Sequence, residues 1–240
     1  MRLLHGHIFK NGGTTFEGIL TSTFGSGHLI VKDETRMHRE RYSYLQQLIR
    51  EEPFQALSTH FLPVQDALKD DENFVVIFLR DPIERALSVY EFEKKQKHDT
   101  PGAINAKKMN SREYFEWRLS SDSSPTFRDF QTRYLLQSGR LSNFEKIDIV
   151  SMRERTPNLF VGVVESFHES VLRLKTIMAG KGVVLVESYE RRNENRKTST
   201  WTRERKYEYL KELIGASLYL RLIECNRHDI DLYEGVLQTA

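Results

Sequence analysis

Cysteine is almost absent: the chain has one, Cys225, in 240 residues. No internal disulfide framework can form, and a reducing compartment is the natural setting. Cys225 lies in an apolar helical stretch with Leu218 and Leu222 and is expected to be a buried packing residue rather than a nucleophile. Long apolar runs are missing too, since none approaches the roughly 20 residues needed to cross a bilayer. The opening Met1-Arg2-Leu3-Leu4-His5-Gly6-His7-Ile8-Phe9 is too short and too polar for a signal peptide. A cytoplasmic protein with no membrane partner is expected. Excess charge is lacking as well: the formal net charge is +2, which gives no ground for a nucleic-acid partner. Any anion site must be built from local clusters. The chain also has no internal repeat, no low-complexity tract and no Pro/Gly/Ser linker.

What is present is an ordinary globular balance. A hydrophobic fraction of 39% against 29% charged residues can build a sizeable core, and a single domain over residues 1–240 is expected. Short apolar runs alternate with segments of helical period in the first half, the pattern of βα units around a parallel sheet. Strands are predicted at Leu3 to Phe9, Leu29 to Lys32, Phe54 to Ser58, Phe74 to Leu79 and Leu159 to Val163. The run from Asn73 to Leu79 is apolar nearly throughout, as a strand covered on both faces should be.

Helix signals are clear. Asp81-Pro82 supplies an N-cap and a first-turn proline. Ser142 with Glu145, and Ser166 with Glu169, have capping-box spacing. Gly139 suits the stop of a helix from about Thr126 through Gln137. The chain reads as mostly helical from Ser111 to Arg155 and from Ser166 onward, with a polar loop from Arg191 to Thr200. The fold class is therefore α/β: a parallel sheet early in the chain, helices wrapped around it and a helical C-terminal third.

Two segments carry chemistry. In His7-Ile8-Phe9-Lys10-Asn11-Gly12-Gly13-Thr14-Thr15-Phe16 a strand ends, two glycines permit a tight turn, and a helix starts near Thr14. Such a turn aims backbone N–H groups and the positive helix end at one spot, where an oxyanion is stabilised. Thr14 and Thr15 add hydroxyls, and Lys10 adds a mobile charge. On these residues alone, a turn that merely needs glycine is the alternative. The Walker A order is absent, because the lysine precedes the glycines.

The second segment runs from Phe78 to Tyr90. Arg80 stands at the carboxyl end of a buried strand, the edge where open parallel sheets bind ligands. Ser88 follows nearly two helical turns later, where a hydroxyl could help an arginine fork hold a phosphate. The alternative is an ion pair of Arg80 with Asp81 or Glu84.

Together the segments resemble the PAPS-dependent sulfotransferases (PAPS is 3′-phosphoadenosine-5′-phosphosulfate), in particular the branch with the carbohydrate O-sulfotransferases. That branch carries His-Ile-Pro-Lys-x-x-Gly-Thr-Thr, which this chain departs from only in Phe9, and a later Leu-Arg-Asp-Pro-x-x-Arg-x-x-Ser-x-Tyr. The second pattern is matched at Leu79, Arg80, Asp81, Pro82, Arg85, Ser88 and Tyr90. Gln131 to Leu135 and Phe160 to Phe167 look like later blocks of the family. The resemblance implies a three-layer α/β/α, P-loop-like sulfotransferase fold with a central parallel sheet, and an enzyme that moves a sulfuryl group in line to an acceptor hydroxyl. It implies that Lys10, Asn11, Gly12, Gly13, Thr14 and Thr15 hold the 5′-phosphosulfate of PAPS, and that Arg80 and Ser88 hold the 3′-phosphate. Lys10 would also stabilise the leaving charge. No metal is expected. His60, in Ser58-Thr59-His60-Phe61 at a strand end, is the candidate base, because several family members have a catalytic histidine in a similar setting and imidazole titrates near neutrality.

Other features earn less. His7 is expected to pack or orient the loop. His5 and His7 alternate on one strand face without a third metal ligand at suitable spacing. Arg191 to Lys197 and Arg133 could meet donor or acceptor, or be solvated. Tyr114, Phe115 and Trp117 have the spacing of a helical core face. Two other classes compete: a kinase, which Mg²⁺ and ATP dependence would reveal, and a non-catalytic nucleotide- or polyanion-binding module, which loss of Lys10 or His60 would have suggested. A glycan, a lipid, a small alcohol, a polyketide and a peptidyl tyrosine all fit as acceptor; the family branch implies a glycan or other carbohydrate hydroxyl, with a small-molecule natural-product alcohol a serious rival. Oligomeric state is not encoded in any visible heptad.

Overall fold

The structure is a computed structural model and describes residues 1–136, 156–186 and 200–238. Its five strands are β1 (Arg2–Gly6), β2 (His28–Ile30), β3 (Ala56–Thr59), β4 (Asn73–Leu79) and β5 (Leu159–Val163). All pair in parallel, in the order β2-β3-β1-β4-β5. The direction of the crossovers reverses between β1 and β4, and in open parallel sheets ligands bind beyond the carboxyl strand ends at such a point.

The helices are α1 (Gly13–Phe24), α2 (Glu34–Glu40), α3 (Tyr42–Glu51), α4 (Val64–Ala67), α5 (Pro82–Lys95), α6 (Pro101–Lys108), α7 (Ser111–Leu119), α8 (Phe130–Leu135), α9 (Phe167–Gly180), α10 (Arg203–Ile214), α11 (Ala216–Glu224) and α12 (Arg227–Gln238). The chain divides into two compact units, the described parts of Met1–Leu79, Gln131–Asn193 and Glu234–Ala240, and those of Arg80–Phe130 and Glu194–Tyr233.

The first unit contains the sheet. Leu3, Phe74, Val76, Phe78 and Phe160 face one side, where Phe16, Ile19 and Leu20 of α1 and Phe167, Val171, Leu174 and Met178 of α9 cover them. Complete burial of each such side chain contributes about 1.5–3 kcal/mol. On the opposite face Gly6 lies against Ile77 and Tyr134 of α8, so close that a Cβ would come within 2.9 Å of Ile77 and 3.0 Å of Tyr134. Helices therefore cover both faces, and β4 is buried along all seven residues, which is why its sequence lacks polar alternation.

The second unit is helical. Its core is Tyr90 of α5 packed on Tyr114 and Phe115 of α7, with Trp117 tilted against Tyr114. Glu93 accepts hydrogen bonds from Tyr114 and Arg118 inside that core. The expected core face of α7 is thus present.

Several boundaries differ from expectation. β1 stops at Gly6 instead of Phe9, because residues 7–12 turn sharply, with Lys10 and Gly12 at φ 65° and 73°. β2 and β3 are displaced by one or two residues from the predicted runs. The helix predicted from Thr126 is a 3₁₀ turn at Pro125–Phe127 followed by α8. The break falls at Asp129 (φ 44°), whose carboxylate is held by His228 at 2.8 Å and the Asp229 N–H at 3.1 Å. Ser166 precedes α9 as its N-cap, but its side chain makes no capping bond. Cys225 stands half-buried at the end of α11 instead of in the core, and burial pushes its thiol pKa up. Gly139, Ser142, Glu145 and the stretch from Arg191 to Lys197 lie outside the described residues. Among the described residues no helix is long and apolar enough to cross a membrane.

Candidate active site

The turn after β1 is built from two glycines needed for different reasons. Gly12, at φ 73°, ψ 7°, occupies the left-handed region at the N-cap of α1, where a side chain costs about 1–2 kcal/mol. Gly13 needs space instead: a Cβ there would sit 2.0 Å from Cδ2 of His7. The turn closes through Asn11 N–H to Ile8 O at 3.1 Å and Thr15 N–H to Gly12 O at 3.0 Å. The first N–H groups of a helix have no intrahelical acceptor, so those of Gly13 and Thr14 stand at the positive end of α1. Thr14 is half-buried and Thr15 buried. Asn11 faces inward, its amide donating to Phe78 O at 2.8 Å and to Gln131 Oε1 at 2.5 Å. It pins the turn to β4 and α8.

His60 is the first residue past β3. Its N–H donates to Glu34 Oε1 at 2.9 Å, and the Thr59 hydroxyl donates to Glu34 Oε2 at 2.7 Å. Nδ1 of His60 lies 2.9 Å from the carbonyl oxygen of His7. A carbonyl can only accept, so Nδ1 carries the hydrogen and Nε2 keeps its lone pair. The His7 ring lies 4.1 Å from the His60 ring, and its own Nδ1 is 2.8 Å from Glu17 Oε1. Burial, and then the charge of His7, push the His60 pKa down to about 4, against the opposing bond to the His7 carbonyl and the charge of Glu17. At neutral pH His60 is an uncharged imidazole tied to the head of the glycine turn.

In the second unit, Asp81 caps α5 by accepting the Ile83 and Glu84 N–H groups at 3.0 Å each. Its other oxygen binds Tyr207 at 2.5 Å and Arg203 at 2.7 Å. Arg80 precedes the cap of α5, while Glu84 and Ser88 lie one turn apart along the helix. Glu84 lies 3.9 Å from Arg80 but 2.7 Å from Lys206, so its closer partner is the lysine. Ser88 is half-buried. Arg85 is fully buried, donates to Thr126 O at 2.8 Å and lies over the Phe130 ring. Burial depresses its pKa to about 10.

The model of the sulfotransferase family matches residues 1–234. The chain belongs to that family. A relative from Archaeoglobus fulgidus, an uncharacterized protein, is 27% identical over 98% of this chain and 95% of its own length. Among solved structures, a sulfotransferase from Alicyclobacillus acidocaldarius is similar at 14% identity and a TM-score of 0.46, covering 97% of this chain and 98% of that one. A mouse sulfotransferase, SULT7A1, complexed with PAP (3′-phosphoadenosine-5′-phosphate) is similar at 14% identity and a TM-score of 0.44, covering 93% and 88%.

This sulfotransferase also contains residues that the motifs do not announce. Glu17 and Glu34 anchor the two histidines of the turn. Thr14 and Glu17 have capping-box spacing, a local signal that could have drawn attention to Glu17, although its carboxylate binds His7 instead. Arg203, Lys206 and Tyr207 reach Asp81 and Glu84 from one face of α10. His5, buried beneath the turn, is 3.0 Å from Ser58 Oγ, and burial holds its pKa well below the usual histidine value. Among the described residues no three His, Cys, Asp or Glu side chains converge as metal ligands.

Proposed function

We propose that this sulfotransferase, as a single domain, moves the sulfuryl group of PAPS to a hydroxyl of a carbohydrate or of an intracellular small-molecule alcohol, by in-line transfer. The observation that carries the reading is the hydrogen bond from His60 to the carbonyl of His7, which ties a neutral imidazole to an anion-binding turn in a chain of this family. The N–H groups of Gly12 to Thr14, with the hydroxyls of Thr14 and Thr15, hold the 5′-phosphosulfate. Arg80 and Ser88, the matching positions of the second motif, hold the 3′-phosphate. Asn11 serves by keeping the turn in place. His60 Nε2 takes the acceptor proton, the acceptor oxygen bonds to sulfur, and Lys10 stabilises the charge left on the phosphate oxygen.

The test is calorimetric titration with PAP, and with ATP in the presence and absence of Mg²⁺, on wild type and Arg80→Ala. PAP binding that weakens at least about tenfold in the variant, the loss expected for one charge-assisted contact, supports the reading. Preference for Mg²⁺-ATP would return the kinase reading instead. Transfer from ³⁵S-labelled PAPS to candidate alcohols then identifies the acceptor.

A further inference from the structure

A base whose pKa is about 4 holds a proton poorly, so the imidazolium formed on His60 during transfer needs a counter-charge. The groups packed around it are His5 and His7 at β1, Glu17 on α1 and Glu34 on α2, with His28 of β2 beyond Ser58. Glu34 is engaged by the Thr59 hydroxyl and the His60 main chain, and burial raises its pKa. It fixes the backbone of His60. Glu17 reaches the ring through His7, with side chains 19% and 10% exposed. Burial alone would raise the Glu17 pKa, but the hydrogen bond and charge of His7, aided by His60 and His28, hold it below the usual carboxylate value. The His7 ring in turn has no freedom to drift, being pressed between Gly13 and His60.

We propose that Glu17 is a positioning residue for the transfer step: through His7 it orients His60 and supplies the negative charge that offsets the imidazolium. The inference rests on His60 being the base. In the step the acceptor proton passes to His60 Nε2, the acceptor oxygen forms its bond to sulfur, and the bond from sulfur to the phosphate oxygen breaks with its electron pair on that oxygen. Positive charge thereby appears beside His7. The Glu17 carboxylate, 2.8 Å from His7 Nδ1, is the negative charge placed behind that ring to oppose it.

The test uses Glu17→Gln, which keeps the shape and removes the charge. Histidine-labelled protein is read by imidazole ¹⁵N NMR, with no acceptor present and the His60 signal assigned by its loss in His60→Gln. Wild type carries the hydrogen on Nδ1 of His60 at neutral pH. In Glu17→Gln the His60 midpoint falls by about half a unit or more, since a nearby negative charge favours the cation. Release of PAP from PAPS, with water as the acceptor, falls about tenfold. PAP binding is unchanged, and Glu17→Asp restores part of the loss.

A wild-type midpoint and wild-type turnover in Glu17→Gln overturn the proposal while the base reading stands, provided His60→Ala loses turnover in the same assay. Equal losses of PAP binding and turnover in Glu17→Gln, with the midpoint unmoved, mark a structural role and overturn it too. Undiminished turnover in His60→Ala removes the base reading and the proposal with it.

Discussion

Replacing Gly13 by alanine tests the packing that ties the glycine turn after β1 to His60. The new Cβ would stand 2.0 Å from Cδ2 of His7, 2.3 Å from Nε2 and 2.5 Å from Cγ. Carbon atoms in contact need about 3.5 Å, so ring or turn must yield by about 1.5 Å. The ring cannot swing away freely, because Glu17 holds Nδ1 at 2.8 Å and the rings of His60 and His5 lie 4.1 Å and 5.5 Å off. Overpacking of this kind costs about 1–3 kcal/mol, and a misplacement of about 1 Å at a reacting group costs about 10²-fold in turnover. Gly12→Ala is the contrast: its Cβ would meet Phe167 at an acceptable 3.5 Å, so only the left-handed backbone charges it, about 1–2 kcal/mol. The assay is urea unfolding of Gly13→Ala, His7→Ala and the double variant, with turnover measured alongside. Removing the ring relieves the clash, so the double variant should be more stable than the sum of the singles by about 1 kcal/mol or more. Additive single effects, or a Gly13→Ala protein as stable and active as wild type, would refute the reasoning.

Three further outcomes follow from the same geometry. Lys10→Ala should lower kcat about 10²-fold or more, the scale of one lost preorganised donor; an unchanged kcat in single-turnover transfer removes Lys10 from the chemistry. Asp81→Ala should destabilise the protein by about 2 kcal/mol in urea unfolding, because α5 loses its cap and Arg203 and Tyr207 lose their shared acceptor; a change within 0.5 kcal/mol, roughly the level of a neutral surface substitution, would contradict this. The folded-state pKa of His60, about 4, lies below the unfolded value of about 6.5. The unfolded chain therefore takes up the proton first, so the contribution is complete above about pH 6.5 and is lost as pH falls toward 4. Tm should decline over that window, and less steeply in His60→Gln; parallel slopes would show that other groups govern the decline.

Much of this protein was legible locally. The unbroken apolar run of β4, the Asp81-Pro82 start of α5 and the glycine turn after β1 were predicted because each depends on neighbours a few residues away: burial on both faces, a cap, a left-handed backbone. The pairing of the turn with the second motif pointed to the family before any contact was visible. The end of β1 was misjudged because Ile8 and Phe9 are apolar and extended strand and buried loop look alike in one dimension. The helix predicted through Asp129 failed for another reason, since a contact 99 residues away holds that carboxylate and breaks the helix.

The amino-acid order by itself marked where strands occur, placed a glycine turn after β1 and named Lys10, His60, Arg80 and Ser88 as candidates, because such features arise from hydrogen-bonding and steric rules within a turn or two. Only the tertiary structure decided which nitrogen of His60 is basic, that Glu17 and Glu34 stand behind it, that Gly13 makes room for His7, and that Lys206 is the closer partner of Glu84. Those partners are separated by 53, 10, 26 and 122 residues in the cases of His60 with His7, His7 with Glu17, His60 with Glu34 and Lys206 with Glu84. Electrostatics and close packing act through space, and the sheet brings those residues together at the carboxyl ends of β1 and β3, just as α10 meets α5 in the second unit.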